Sequence, residues 1–209
     1  MSASVKNWKR TKSISEDSNT PIGSQFRETH DITNKFLTLL PAGHVLHILY
    51  QEHLLILGLL EDIDHTRKQI SELDSPLDHP EIFMHLIQSV EKLVAMENHH
   101  IREEKTIFEE LLKKGIHKNH HVLTSEHAFL ADYKKNFLFF AGSMERMDFK
   151  SYKLQLNFQV NGIIGLLREH IFVENSDVFP QAYQLITSAK DWTRLKKISD
   201  KVGYTLYKP

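Results

Sequence analysis

Two short stretches constrain this chain more than anything else in it. His99–His100–Ile101–Arg102–Glu103–Glu104 and its echo His170–Ile171–Phe172–Val173–Glu174 each set a histidine four residues before a glutamate, and Phe108 and Phe179 each follow that glutamate by five. On a helix, positions four apart lie one turn from each other on one face, so imidazole and carboxylate stand side by side, as a metal-ligating pair requires. One such pair arises easily by chance. Here each is preceded, on the previous hydrophobic segment, by a Glu–His dipeptide, Glu52–His53 and Glu126–His127. The separations from His53 to His127 and from His99 to His170 are nearly equal, the signature of a two-helix unit used twice. Pseudo-twofold packing of the two units brings all four histidines to one level of the core.

Hydrophobic periodicity supplies the helices that this arrangement needs. The first runs from about His44 to Leu73, with Leu46, Leu49, Tyr50, His53, Leu57, Leu60 and Ile63 on one stripe. Asp78, with Glu81 three residues on, reads as the N-cap of a second helix from about His79 to Lys114, and Gly115 as the residue that ends it. A third spans about Asn119 to Ser143 and a fourth about Asp148 to Ala189, with a kink or break expected at Pro180. No strand pattern competes. The expectation is an all-α, up-down-up-down four-helix bundle over residues 44–189. A flexible arm and short amphipathic helix (1–43) precede it, and a helical tail (190–209) carrying Trp192, Tyr204 and Tyr207 follows. The arm could serve a protein partner.

Composition removes several function classes. The formal net charge of −1 gives no global field toward nucleic acid or an anionic membrane surface. Cysteine is absent, which excludes disulfides, thiolate ligands and thiol nucleophiles. No secretory h-region or membrane-spanning run is apparent, so the cytoplasm is the expected location. What stands out is the 14 histidines, and clustered neutral imidazoles are the commonest metal ligands.

Imidazole and carboxylate donors without thiolate suit Fe, Mn, Zn or Cu. Four histidines and two glutamates exceed the needs of one tetrahedral zinc; they divide between two metals, three donors each, with the glutamates able to bridge. Taken singly, His53 or His127 would more often be a satisfied core histidine, and His99/Glu103 a surface pair. The second helix also offers a competing register, since His100 and Glu104 sit nearer the centre of its apolar stripe. The spacing to Phe108, matching that from His170 to Phe179, favours His99/Glu103. The histidines at 44, 47, 79, 85, 117, 120 and 121 read as surface or loop-end residues, and Tyr50 and Tyr133 as packing residues.

Glu52–His53, His99-x-x-x-Glu103–Glu104 with Phe108, Ser125–Glu126–His127, and His170–Ile171-x-x-Glu174–Asn175-x-x-Val178–Phe179–Pro180 together resemble the hemerythrin-like (HHE cation-binding) domain over roughly residues 44–185. The ligand pattern is similar to that of the di-iron iron–sulfur-cluster repair proteins. The resemblance implies His53, His99, Glu103, His127, His170 and Glu174 as ligands of two iron ions (manganese or zinc being alternatives), with Glu103 and Glu174 bridging. Oxygen-carrying hemerythrins have a further histidine where this chain has Leu123, and a carboxylate where it has Asn175; the repair proteins carry a cysteine-bearing N-terminal segment, and this chain has no cysteine. The expected function is a non-haem di-iron protein that binds or senses O2 or NO, or handles iron under oxidative or nitrosative stress. Its alternatives are a di-iron enzyme of iron-centre repair or of NO or peroxide reduction, and a metal-free helical interaction module.

Overall fold

The computed structural model describes residues 36–117 and 120–205. The arm expected over residues 1 to about 25 and Tyr207 lie outside that range. The described residues are mostly helical, joined by short turns, with no strand among them. No helix among them is long and apolar enough to cross a membrane.

The first long helix, α1 (Val45–Glu72), starts where the His44 ring accepts the Leu46 N–H at 3.2 Å, in the manner of an N-cap. The second is composite: α2 (Pro80–Ala95), a break at Met96, α3 (Glu97–Glu103), a π-helical turn at Glu104–Phe108, then α4 (Glu109–Lys113). Its N-terminus differs from the Asp78 expectation. Pro80 occupies the first turn and His79 is the cap residue, so Asp78 lies one position too far out and accepts the Ser75 N–H instead. Its C-terminus behaves as expected. Gly115 adopts φ +81°, and the Gly115 and Ile116 N–H groups close on the carbonyls of Leu112 and Leu111, satisfying two otherwise orphaned acceptors.

The third helix, α5, covers His120–Ala141, and the fourth begins with α6 (Phe149–Val173), capped by Asp148 on the Ser151 N–H. Pro180 does not break this fourth helix. A π turn at Glu174–Val178 precedes it, closed by the Phe179 N–H on the Glu174 carbonyl, and α7 (Phe179–Leu185) continues beyond. Because the regular bonding is already widened there, the missing N–H of proline falls in a turn that has left the α pattern. A final helix, α8 (Ala189–Val202), starts from the Ser188 cap.

Around the bundle, α1 packs against α2 and α6, and α5 packs against the same two. The two Glu–His helices, α1 and α5, are therefore diagonal to each other, as are the two His-x-x-x-Glu helices. The core falls into two apolar halves. One is built on Leu60, Ile63, Leu86, Val90, Phe137, Tyr152 and Leu156; the other on Leu37, Leu46, Leu49, Ile107, Leu123, Phe179 and Leu195. Between them lies a polar layer.

Candidate metal centre

The layer between the apolar halves is made of the residues that the sequence singles out. His53 comes from α1, His99 and Glu103 from α3, His127 from α5, His170 from α6 and Glu174 from the first position of the π turn that follows; all six are buried. Each carboxylate faces both histidine pairs. Glu103 Oε1 lies 3.5 Å from His53 Nε2 and 3.2 Å from His99 Nε2, while its Oε2 is 3.6 Å from His127 Nε2. Glu174 mirrors it: Oε2 is 3.2 Å from His53 Nε2, and Oε1 is 3.4 Å from His127 Nε2 and 3.3 Å from His170 Nε2.

The opposite nitrogen of every imidazole is tied outward. His99 Nδ1 reaches Glu52 at 3.0 Å and His170 Nδ1 reaches Glu126 at 2.9 Å, so each Glu–His dipeptide supplies the orienting carboxylate for the histidine of the following helix. His127 Nδ1 reaches Glu104 at 2.8 Å and His53 Nδ1 reaches Asn175 at 2.9 Å, the residues immediately after the two inward glutamates. A carboxylate or amide oxygen only accepts, so each Nδ1–H donates. That tautomer leaves every Nε2 lone pair pointing into the layer. Phe179 stacks on His53 and Phe108 on His127, both at 5.4 Å between ring centroids, which fixes the ring planes. The phenylalanine five residues after each glutamate thus holds the histidine of a neighbouring helix.

Two buried carboxylates side by side demand a cation. Burial and Glu174 both push the Glu103 carboxyl toward neutrality, but His99 and His53 prevail and hold it below the usual carboxylate range. Glu174 is held well below that range in the same way, by His170, His127 and His53 against its burial. Burial opposes the charged form of His53, yet Glu103 and Glu174 raise it to about 9. His170, buried as well, is raised by Glu174 and Glu126 to about 10. Protons on imidazole are the compensating charge in the metal-free chain. They are an incomplete match: His53 Nε2, His99 Nε2, both oxygens of Glu103 and Glu174 Oε2 are buried and make no hydrogen bond among the described residues. Orphaned donor atoms of this kind, converging on one another, fit a metal better than they fit protons.

The donor atoms fall into two groups, each within 4.8 Å: His53, His99, Glu103 and Glu174, and His100, Glu103, His127 and His170. A model of the hemerythrin HHE cation binding domain matches residues 44–182. The chain belongs to the hemerythrin HHE cation-binding family. No curated protein matches the chain. Family and buried cluster together describe a metal-binding protein.

His100 sharpens the register question in this hemerythrin-type bundle. Glu104 is 37% exposed and turns outward to His127, whereas Glu103 is fully enclosed. Yet His100 is buried too, its ring stacked on His127 at 4.2 Å and its Nδ1 3.3 Å from Glu97. Burial, with His127 and Lys134 nearby and despite Glu97, lowers it to about 3, so its imidazole is neutral. Burial resists ionisation of Glu97 itself, but His100 and Lys134 prevail and bring it to about 2. His99 and His100 therefore face opposite halves of the layer. Among the roles that the sequence does not reveal are Asn175 as the partner of His53, Glu52, Glu126 and Glu104 as the carboxylates behind His99, His170 and His127, Arg102 on Glu52, and Lys134 as the buried cation behind Glu97. The position of Asn175 directly after Glu174, matching Glu104 after Glu103, was the available signal for the first. Tyr133 bonds the Gln159 carbonyl, away from the layer, and Tyr50 is buried in the other apolar half.

Proposed function

We propose that this chain is a non-haem di-iron protein that binds or senses a diatomic ligand, O2 or NO, or handles iron under oxidative or nitrosative stress. One observation carries the reading: Glu103 and Glu174 each turn one oxygen toward His53 and the other toward His127, the arrangement of two carboxylates that bridge a pair of ions. His53 and His99 would hold one ion, His127 and His170 the second, and both glutamates would span them. Neutral and anionic N/O donors suit iron, with manganese and zinc within the same donor chemistry. Two imidazoles and two shared carboxylates at each ion would leave room for a further ligand, and a ferrous pair held there would supply electrons and a binding position to a diatomic.

The protein's own part is to exclude water and hold the donors still. The apolar halves on either side keep the layer dry, and the carboxylate, amide and phenylalanine contacts fix each imidazole before any ligand arrives. The test is anaerobic loading with iron(II), followed by rapid mixing with O2 and with NO in separate experiments. A saturable, ligand-dependent change in absorbance is expected. Recovery of the starting spectrum when the gas is removed marks a binder or sensor, and repeated consumption marks an enzyme. No spectral response to either gas would contradict the proposal.

A further inference from the structure

The repeat is nearly symmetric at the six inward residues and sharply asymmetric one layer out. Glu126, which orients His170, is 47% exposed. Its counterpart Glu52, which orients His99, is 1% exposed and bonded to the guanidinium of Arg102. Arg102 is one of the largest fully buried side chains. Its repeat partner is Val173, and among the described residues no cation pairs with Glu126; the buried Lys134 of the other half stands behind Glu97 and His100 instead. Arg102 does not end at Glu52. Another of its nitrogens donates to the Gly203 carbonyl, and its guanidinium lies 4.7 Å from the centre of the Tyr204 ring.

Gly203 sits at φ +88°, a conformation that glycine adopts freely, and it aims its carbonyl at Arg102 where α8 ends. The helix itself is anchored on the bundle against α1, α3 and the π turn at Glu104–Phe108. Its Leu195 enters the apolar half below the metal layer, and its Arg194 pairs with the buried Glu110 at 2.6 Å. The helix and Gly203 lie beyond residue 182, where the family match stops, while the bundle residues they meet lie within it.

We propose that Arg102 is a positioning residue that ties the C-terminal segment to one half of the metal centre, so that residues 189–204 set the affinity of the His53/His99 position and not of the His127/His170 position. The path is short and wholly non-covalent: tail carbonyl and ring to Arg102, Arg102 to Glu52, Glu52 to the Nδ1–H of His99. A carboxylate that is itself clamped keeps its histidine in one orientation, whereas Glu126 is free to exchange its hydrogen bonds with water. Groups in this outer position are worth about 10- to 100-fold in metal affinity. The coupling is reciprocal, since an ion that favours the clamped arrangement of Glu52 also favours the docked arrangement of the tail.

The inference rests on the two-ion reading above, and the test separates the two. Full-length chain is titrated anaerobically with iron(II), with binding followed by calorimetry and, in parallel, amide hydrogen exchange read across α8. In the wild-type chain two ions bind and exchange in α8 slows on loading. Arg102→Met is expected to weaken one binding step about 10- to 100-fold while sparing the other, and to abolish the slowing in α8. Glu126→Gln is expected to weaken the other step and leave α8 unaffected. Arg102→Lys keeps the charge but cannot reach Glu52 and Gly203 together, so it restores only part of the loss. Tyr204→Ala, made in the tail itself, gives a smaller loss of about 2- to 5-fold in the same step as Arg102→Met and keeps the test decisive even if that variant fails to fold. Two wild-type binding steps in both Arg102→Met and Tyr204→Ala would overturn this inference alone. A wild-type chain that takes up no iron would overturn the two-ion reading, and this inference with it.

Discussion

At the level of single residues, the chemistry turns on which nitrogen of each imidazole is free. Every Nδ1 is committed to an outward acceptor, so each Nε2 is directed inward. His170 illustrates the consequence. Replacing it with alanine removes one donor and leaves Glu174 short of a cation in the interior, where the loss of one partner of a buried pair costs about 3–5 kcal/mol. His170→Ala is expected to lose at least one metal per chain by elemental analysis while retaining its helical circular dichroism. Full metal occupancy in that variant would refute the placement of the site. How much of this was readable beforehand differs from residue to residue. The four histidines and two glutamates are visible as a repeat because i,i+4 spacing survives in sequence. The choice between His99 and His100 was not readable from an apolar stripe, because the break at Met96 and the π turn at Glu104–Phe108 rotate the helix on both sides of the pair. Both rings end up buried, facing different halves.

Among the elements, the helix spans follow closely from periodicity and cap residues, while the π turns do not. A π turn carries no propensity signal of its own; it shows only as an i,i−5 bond, here from Glu109 to Glu104 and from Phe179 to Glu174. Its place beside each His-x-x-x-Glu pair lets two consecutive residues serve the centre, Glu103 with Glu104 and Glu174 with Asn175. The apolar half built on α2 and the distal parts of α1, α5 and α6 is separate from this device. Leu156, fully buried there, tests the separation. Leu156→Ala is expected to lower unfolding stability by about 2–5 kcal/mol in denaturant melts, with the metal-to-protein ratio unchanged. A fall in metal content matching the loss of stability would show that the layer depends on that half for its geometry.

For the molecule as a whole, the metal layer makes stability depend on pH in two opposed ways when no metal is bound. His53 and His170 are raised above their ordinary value, so their contribution is complete below about pH 6.5 and is lost as the pH rises through about 9 to 10. Glu103 and Glu174 are held below theirs, so their contribution is present above the ordinary carboxylate range and lost as the pH falls beneath it. Thermal melts of the metal-free chain are therefore expected to peak in mildly acidic solution and to decline on both sides. Metal loading should raise the melting temperature and remove the decline on the alkaline side, because the ions then take the place of the protons. A metal-free chain whose stability is flat from pH 6 to 10 would show that the imidazole charges do not offset the buried carboxylates. The central claim, that this layer holds a pair of ions, has a more direct test. Chain loaded anaerobically with iron(II), freed of excess and assayed by elemental analysis and Mössbauer spectroscopy should carry two non-haem irons per polypeptide. One iron, or none, would contradict it.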